Sequence, residues 1–545
     1  MKLKRTVIAP ALVAGVALVS GGWLLQQGVG GGQSVYQRAQ IFDEVLRYVQ
    51  TRYVDQHSEG DLYQKAIEGM LHELGDPHTV FMTGDEYAQL HLQTSGEYGG
   101  LGIQIAPREG YITAVGVLPG TPAERAGIRV GDQLLEIDGK DAKGWTDDFA
   151  VKVLRGAVGT PIRLKVRRVG VDAPMTFTIT REEIHVRSVP YAYMAAPGIG
   201  YVDLTVFSQS STAELKGAID SLRAAGARKL VLDLRGNPGG LLDQGVAVSD
   251  LFLRRGQAIV ETRSRDPMES ETFRASSDEA YDLPMVVLVD AYSASAAEIV
   301  AGALQDHDRA LVVGTTSYGK GSVQSLFRLS GGNFLKMTTG KWYTPVGRSI
   351  QKPFRAQDAD PEADPDSVAA DTAVAAPDTA RRRPYRTDAG RTVLGGGGIV
   401  PDVTVRDTTT TAERAFLSAA SKKAAVFTEV LGRFAIEYER RTPGLTQDFP
   451  VTPEMRRELY TRLRAAGVDI TPELYAGAQR WLDLQLSSQI LQSKFGRPAA
   501  ARRANASDRT VQEAIRLLQG APNQAALFRA AAGLAQAQPS GPRSR

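Results

Sequence analysis

The sequence predicts a multidomain chain: an α/β core, a β-rich domain inserted ahead of it, an N-terminal helical region and a C-terminal helical extension. Three observations predict it. Between residues 184 and 354, short apolar runs (GIGYVDL, KLVLDL, MVVLV, ALVVG) alternate with amphipathic stretches, the pattern of a sheet covered by helices. Residues 96–182 instead carry short β-type runs separated by glycine turns. On either side, residues 36–95 and 411–545 space their apolar residues three and four apart. At 545 residues the chain has room for about three or four domains. A net charge of +3 gives no electrostatic reason to expect a nucleic acid partner. The absence of cysteine excludes disulfides, thiolate metal sites and a cysteine nucleophile.

Residues 1–31 open with the basic flank MKLKR and an almost wholly apolar run over 6–25. Such a run can span a bilayer, and no clean A-x-A cleavage site follows, so an uncleaved signal anchor is favoured over a cleaved signal peptide. The positive flank would stay cytoplasmic, which places the rest of the chain in the cell envelope, exported and facing the periplasm or exterior. Residues 36–95 read as helices broken at DPH, residues 76–78. His72, Glu73, Asp76 and His78 are read as solvated turn residues, and no metal or cofactor is expected.

Within residues 96–182, the group Gly99, Gly100, Leu101, Gly102 and Ile103 frees successive backbone amides to meet a carboxylate, beside a sheet edge that can pair with a peptide. It resembles the carboxylate-binding loop of a PDZ domain. The run PGTPAERAGIRVGDQLLEIDG strengthens the resemblance through its AGI-x-x-GD turn. A helix is expected over 148–154, as one wall of the peptide groove.

The core holds the residues that carry chemistry. After the strand MVVLV comes AYSASAAEIVAGALQDH, in which Ser295 opens a small-residue helix and so has amide donors and a positive dipole end beside it. After the strand ALVVG, Lys320 lies between Gly319 and Gly321, where backbone can approach closely. Together these suggest a serine nucleophile with a lysine base. Two other readings compete. A phosphate loop over 314–320 (GTTSYGK) lacks the hydroxyl after the lysine. An S-x-x-K dyad of Ser317 and Lys320 needs a helical turn that the flanking glycines disfavour, and its companion motifs are absent. The six histidines lie at 57, 72, 78, 91, 185 and 307; only His307 is near, and it follows the helix, so a Ser-His-Asp triad has little support. RGNPGG, after the strand KLVLDL, would aim backbone amides of Gly239 and Gly240 into a site beyond the strand end.

The segments SASAAEIVAGALQDH, YGKGSVQ, LDLRGNPGG and KWYTPVGRSIQ, in one chain, resemble the carboxyl-terminal processing peptidases, a family of Ser-Lys serine proteases with a PDZ domain. GMLHELGDPHTVFM and GEYGGLGIQI extend the resemblance upstream. It covers roughly residues 42–351 and 398–405. It implies a protease core over 184–354 that continues at 391–406, with the PDZ domain inserted before it and the helical region 36–95 serving dimerisation and support. It implies Ser295 as nucleophile, Lys320 as general base and Gln324 as the residue that holds the lysine. The amides of Ala296 and of Gly239 or Gly240 would form the oxyanion hole. Expected partners are protein substrates with apolar, disordered carboxyl termini, the membrane through the N-terminal segment, and a second copy through the helical regions. The competing class is a non-catalytic membrane-tethered PDZ scaffold, against which the intact Ser295, Lys320 and Gln324 argue.

Residues 355–390 are rich in Ala, Asp, Pro and Arg and are expected to be a disordered insert. The extension 411–545 reads as helical, with the Arg- and Ala-rich stretch near 501 taken as a solvated helical tail and residues 539–545 as frayed.

Overall fold

The computed structural model describes residues 35–108, 110–168, 171–352, 382–406 and 409–537, in two compact units that divide between Phe81 and Met82. The apolar run 6–25 lies outside the described residues. Among those described, no helix is long and apolar enough to cross a membrane.

The first unit holds α1 (Val35–Arg52) and α2 (Glu59–His72), with Ser58 capping α2 through the Asp61 amide. Helix α1 buries none of its residues and leaves Tyr36, Phe42 and Tyr48 exposed. Strand β1 (Val80–Met82) follows.

The second unit opens with α3 (Gly84–Ser95), started by a Thr83–Glu86 capping box. The chain then enters β2 (Glu97–Gly100), which pairs antiparallel with β9 (Glu182–His185). These two strands lead into and out of the β-rich domain. Between them lie β3 (Ile103–Arg108), β4 (Tyr111–Val117), α4 (Pro122–Ala126), β5 (Gln133–Ile137), β6 (Lys140–Asp141), α5 (Asp147–Leu154), β7 (Pro161–Arg167) and β8 (Met175–Thr180). The sheet order is β3-β4-β5-β7-β8, with β6 beside β5. The AGI-x-x-GD turn is fixed by Asp132, fully buried, which accepts from the Arg129 amide at 2.8 Å and from Arg168 Nε and Nη2 at 2.7 Å each.

The α/β core follows as β10 (Ala192–Ala196), β11 (Ile199–Asp203), α6 (Ser211–Ala224), β12 (Lys229–Asp233), α7 (Leu242–Asp250), β13 (Ala258–Ser264), β14 (Glu271–Arg274), β15 (Met285–Val289), α8 (Ala296–Asp306), β16 (Leu311–Gly314), β17 (Ser322–Arg328) and β18 (Phe334–Tyr343). The central sheet runs β10-β11-β12-β15-β16, and every pair after β10-β11 is parallel. Its apolar runs are buried on both faces, as a parallel sheet requires. Leu230, Leu232, Met285, Val287 and Val312 face helices α6, α7 and α8. Strands β13, β14, β17 and β18 form a second, antiparallel sheet.

Two expectations are corrected. The insert does not extend to 390. Residues 353–381 lie outside the described residues, but β19 (Pro384–Arg386) and β20 (Thr392–Leu394) form an antiparallel hairpin. Its turn is tied to the core by Asp388 on His307 at 2.7 Å and by the Arg391 guanidinium, which reaches Asp308, Asp402 and the Gln305 carbonyl. Composition alone identified a segment too polar to build a core, but these polar groups find partners in one that already exists. Strand β21 (Val403–Thr404) then joins the central sheet beside β16.

The C-terminal segment near 501 is not a solvated tail. The extension begins as a helical bundle, α9 (Thr411–Ser421), α10 (Ala424–Arg441), α11 (Pro453–Ala465), α12 (Pro472–Gly477), α13 (Gln479–Phe495) and α14 (Arg497–Asn505), with its own core around Phe416, Phe434, Leu459, Leu486 and Ile490. Helices α15 (Arg509–Gly520) and α16 (Gln524–Ala537) then cover the second face of the central sheet. Val511, Ala514, Leu517 and Leu518 pack on Tyr201, Val231, Val286, Leu288 and Val313. Asn505 donates to the Tyr193 hydroxyl at 3.0 Å, and the Arg502 guanidinium lies over the Tyr193 ring. A parallel sheet cannot leave one face wet, and the extension supplies the missing cover.

Candidate active site

Strand β15 ends at Val289, and the chain turns sharply before α8. Asp290 Oδ1 accepts from the amides of Gly236, Tyr292 and Ser293, each at 3.0 Å, and so fixes the turn from inside. Ser293 is fully buried, its hydroxyl donating to the Leu234 carbonyl at 2.8 Å. Ser295 is half-buried, with φ 52° and ψ −115°, a backbone conformation disfavoured for any side-chain-bearing residue. A strand, a strained serine and a helix in succession are the geometry of a nucleophile elbow. The usual signature places glycines two residues before and two after the serine. Ser293 and Ala297 stand there instead, small enough for the turn but invisible to the motif.

The loop after β12 closes against this turn. Asn237 donates to the Leu204 carbonyl at 2.7 Å, and its own carbonyl accepts the Ala294 amide at 2.9 Å. Gly239, at φ 96°, lies so near that a side chain there would put its first carbon 2.7 Å from Ser295 Cβ and 3.0 Å from the Ala296 nitrogen. The Gly239 amide is committed to Asn237 Oδ1 at 2.8 Å. The Gly240 amide points away from the bridge that its neighbours make with Phe207, and it donates to no group among the described residues; nor does the Ala296 amide.

One carboxylate joins the serine turn to the lysine loop. Glu298, fully buried in the first turn of α8, accepts on Oε2 from the amides of Ser295 and Lys320, each at 2.9 Å. On Oε1 it accepts from the Gly319 amide at 2.7 Å and from the Ser317 hydroxyl. Ser317 Oγ in turn accepts the Ile399 amide at 2.6 Å, so its proton goes to Glu298. Burial pushes the Glu298 carboxyl up to about 7, against the pull of Ser317 and of the amides of Lys320, Gly319 and Ser295. These contacts also weigh against the alternative sequence readings. Residues 315–321 form an extended loop that leads into β17, with no helix for a phosphate loop or for an S-x-x-K turn. The Ser317 hydroxyl is part of the scaffold.

Lys320 is half-buried in that loop. Gln324 lies on β17, on the same side as Ser322, and its side-chain nitrogen donates to Ser322 Oγ at 2.8 Å and Thr338 Oγ1 at 3.4 Å. His307 sits at the far end of α8, held by Asp388 and by the Ala258 carbonyl at 2.7 Å.

In the β-rich domain the five predicted residues separate. Gly99 and Gly100 lie in the β2-β9 ladder, opposite Glu183 and Glu182. Leu101 and Gly102 form the turn before β3, and their amides donate to nothing among the described residues. Gly102, at φ 78°, is pressed against Thr121, whose side chain would lie 2.3 Å from any Cβ. Ile103 begins β3, which runs beside α5, where Phe149 stands exposed.

Residues 198–362 match peptidase family S41, residues 89–167 match the PDZ domain, and residues 26–86 match the activating protease CtpB N-terminal domain. A carboxy-terminal-processing protease of Bartonella bacilliformis is 40% identical over 346 residues, 62% of this chain and 79% of that protein. The chain belongs to the carboxy-terminal processing proteases of peptidase family S41. A carboxy-terminal processing protease CtpA of Bacillus subtilis is 35% identical over 310 residues, 57% of this chain and 66% of that one. The solved structure of a photosystem II D1 C-terminal processing protease is 30% identical, covers 57% of this chain and 90% of its own, and aligns with a TM-score of 0.34.

As a member of family S41 the chain is a serine endopeptidase with a PDZ domain. Glu298, Asn237 and Asp290 escaped the sequence reading, which had weighed Ser317 only as the serine of an S-x-x-K dyad and not as part of the scaffold. For Glu298 a signal was present, since S-x-x-E opening an apolar helix is a capping box. The contacts of Glu298 with residues 317–320 had no sequence signal, because they join a helix to the loop that follows the next strand.

Glu298→Gln tests the scaffold. An amide cannot accept on both ends, so two buried donors lose their partner, at about 3 kcal/mol. The expected result is a lower melting temperature together with at least a tenfold loss of peptidase activity. Wild-type values for both would show that the carboxylate does not organise the site.

Proposed function

We propose that this S41 protease is exported and cleaves proteins captured by their carboxyl terminus, with Ser295 as nucleophile and Lys320 as general base. The observation that carries the reading is the Glu298 carboxylate, which gathers the backbones of Ser295 and Lys320 onto one oxygen. Ser295 Oγ attacks the scissile carbonyl while Lys320 Nζ takes its proton and later delivers it to the departing amine. The acyl-enzyme is then hydrolysed by water, activated by the same lysine. Lys320 acts as base only when neutral, and an ordinary lysine has a pKa of about 10.4, so the site must favour the uncharged form. The amides of Ala296 and Gly240 are the donors for the oxyanion, each worth on the order of 3 kcal/mol in the transition state. Gly239 contributes by carrying no side chain against Ser295. Gln324, anchored on Ser322 and Thr338, holds the base of the lysine loop. No step calls for a metal or cofactor.

Substrate capture is assigned to the PDZ turn. Leu101 and Gly102 offer amides to a terminal carboxylate, Ile103 starts the strand edge along which the peptide pairs, and Phe149 on α5 offers apolar surface for its side chains. The export reading rests on the basic flank and apolar run within residues 1–31.

Ser295→Ala is expected to abolish cleavage of a peptide substrate with folding intact, and Ser293→Ala to retain much of it. Lys320→Arg is expected to be inactive, because a guanidinium keeps its proton. Wild-type activity rises with pH as the lysine deprotonates. An active Lys320→Arg would remove the lysine base.

A substrate with a free carboxyl terminus should be cleaved faster than its amidated form, and removal of the PDZ domain should shrink that difference. Equal rates in the intact enzyme would exclude carboxylate recognition.

Membrane fractionation of the full-length protein should find it in the pellet, and deletion of residues 1–31 should release it. A soluble native form beginning near Gly30 would replace the anchor by a cleaved signal.

A further inference from the structure

The loop that ends at Gly240 is held at its start by a residue of the C-terminal extension. Arg235 lies two positions past β12. Its backbone amide and its Nε and Nη2 all donate to Asp233, at 2.9, 3.0 and 2.6 Å. Its remaining arm, Nη1, crosses to Asp508 Oδ2 at 2.8 Å. Asp508 is the N-cap of α15 and receives the Val511 amide on its other oxygen at 2.9 Å. One carboxylate therefore both starts the helix and grips the loop.

The grip has a firm base. Helix α15 is bedded in the sheet through Val511, Leu517 and Leu518, and at its far end Lys229 Nζ donates to the Leu518 carbonyl. On the other side, the loop runs from Arg235 through Gly236, bound to Asp290, and Asn237, bound to Leu204 and Ala294, to the glycines against Ser295. The surroundings of Arg235 are strongly acidic. Asp203 and Asp233 are register partners at the ends of β11 and β12, both buried, and Tyr201 donates to Asp233 at 2.7 Å. Burial and the neighbouring Asp233 push Asp203 up to about 7. Burial would weaken the charge on Arg235, but Asp233 and Asp508 outweigh it and hold the guanidinium charged. A planar guanidinium gripped by Asp233 alone keeps one edge free; a second carboxylate from another segment fixes its plane.

We propose that Asp508 is a positioning residue for proteolysis, through which the C-terminal extension sets the loop 234–240 and the oxyanion pocket beside Ser295. The inference rests on the roles proposed above for Ser295 and Gly240. It gives the extension a part in catalysis as well as in covering the sheet.

The test uses the full chain. Asp508→Asn keeps size and N-cap capacity but removes the charge facing Arg235. The expected result is a fall in kcat of about tenfold, with KM within about twofold and little change in melting temperature, because a displaced donor weakens the transition state and not substrate binding. Affinity for a peptide aldehyde that mimics the tetrahedral intermediate should fall by the same factor, and Asp508→Glu should recover much of the loss. Arg235→Lys, which keeps charge but cannot span both carboxylates, should reproduce the kcat effect. Wild-type kcat in Asp508→Asn overturns the proposal whatever Arg235→Lys does, as does a loss confined to KM or to the folded fraction. Ser295→Ala, measured alongside, separates the two levels: if it is active, the site reading itself falls, and if it is inactive while Asp508→Asn matches wild type, only this inference does.

Discussion

A single buried carboxylate holds the centre of this molecule together. Glu298 has no access to solvent, and ionising it there is costly unless donors replace the lost water. Four do, two per oxygen, and they come from two loops separated in sequence by a helix and a strand. The strained backbone of Ser295 persists because its amide is one of the four. The lysine loop, which carries glycine on both sides of Lys320 and has little conformational preference of its own, is held because the other three come from it. Through Ser317 the same network reaches Ile399, on the segment that returns after residues 353–381. Geometry that glycine-rich loops could not hold alone is thereby imposed from one helix.

That helix is itself unusual in being buried along its whole length. Alanines and Gly302 make this feasible, since a Cβ at 302 would stand 3.1 Å from both Ile399 and Thr344. At its C-terminal end Asp306 and Arg348 are both fully buried. Asp306 Oδ1 lies 2.7 Å from Arg348 Nη2 but off the line of a hydrogen bond, so the attraction there is mainly electrostatic. Such a pair contributes little net stability after desolvation, but removing either partner would strand the other. Both ends of α8 are thus fastened by charge, one toward the serine turn and one toward the returning hairpin.

Much of the fold was legible because its signals are local. Apolar runs marked β11, β12, β15 and β16 of the central sheet, though not β10 or β21 at its edges, and the glycine punctuation of residues 96–182 marked the inserted domain. Ser295, Gly239 and Gly240 could be singled out because each lies between a strand and a helix start, the resemblance to the processing peptidases added Ala296, and the structure brings Gly239 against Ser295 and Ala296. Non-local pairings could not be read in that way. Gly99 and Gly100 look the same as Gly102 in sequence, yet a ladder to β9 takes them away from the turn. Residues 382–390 looked too polar to fold, since their partners, His307, Asp308 and Asp306, lie about eighty positions earlier. The role of α15 as a cover was hidden because its amphipathic face declares that it packs but not against what.

The ladder between β2 and β9 has a consequence for how the two domains coexist in one chain. The strands that leave and rejoin the core lie side by side, one strand spacing of about 4.8 Å apart. An unstructured excursion over residues 101–181 would burden the folding of the core with the entropy of closing a long loop. Once the PDZ domain has folded and brought its own ends together, the core meets only the equivalent of a hairpin turn. The inserted domain is in this sense a cassette. Its interior is free to diverge in sequence and ligand preference without disturbing the α/β scaffold, provided that its two ends continue to meet.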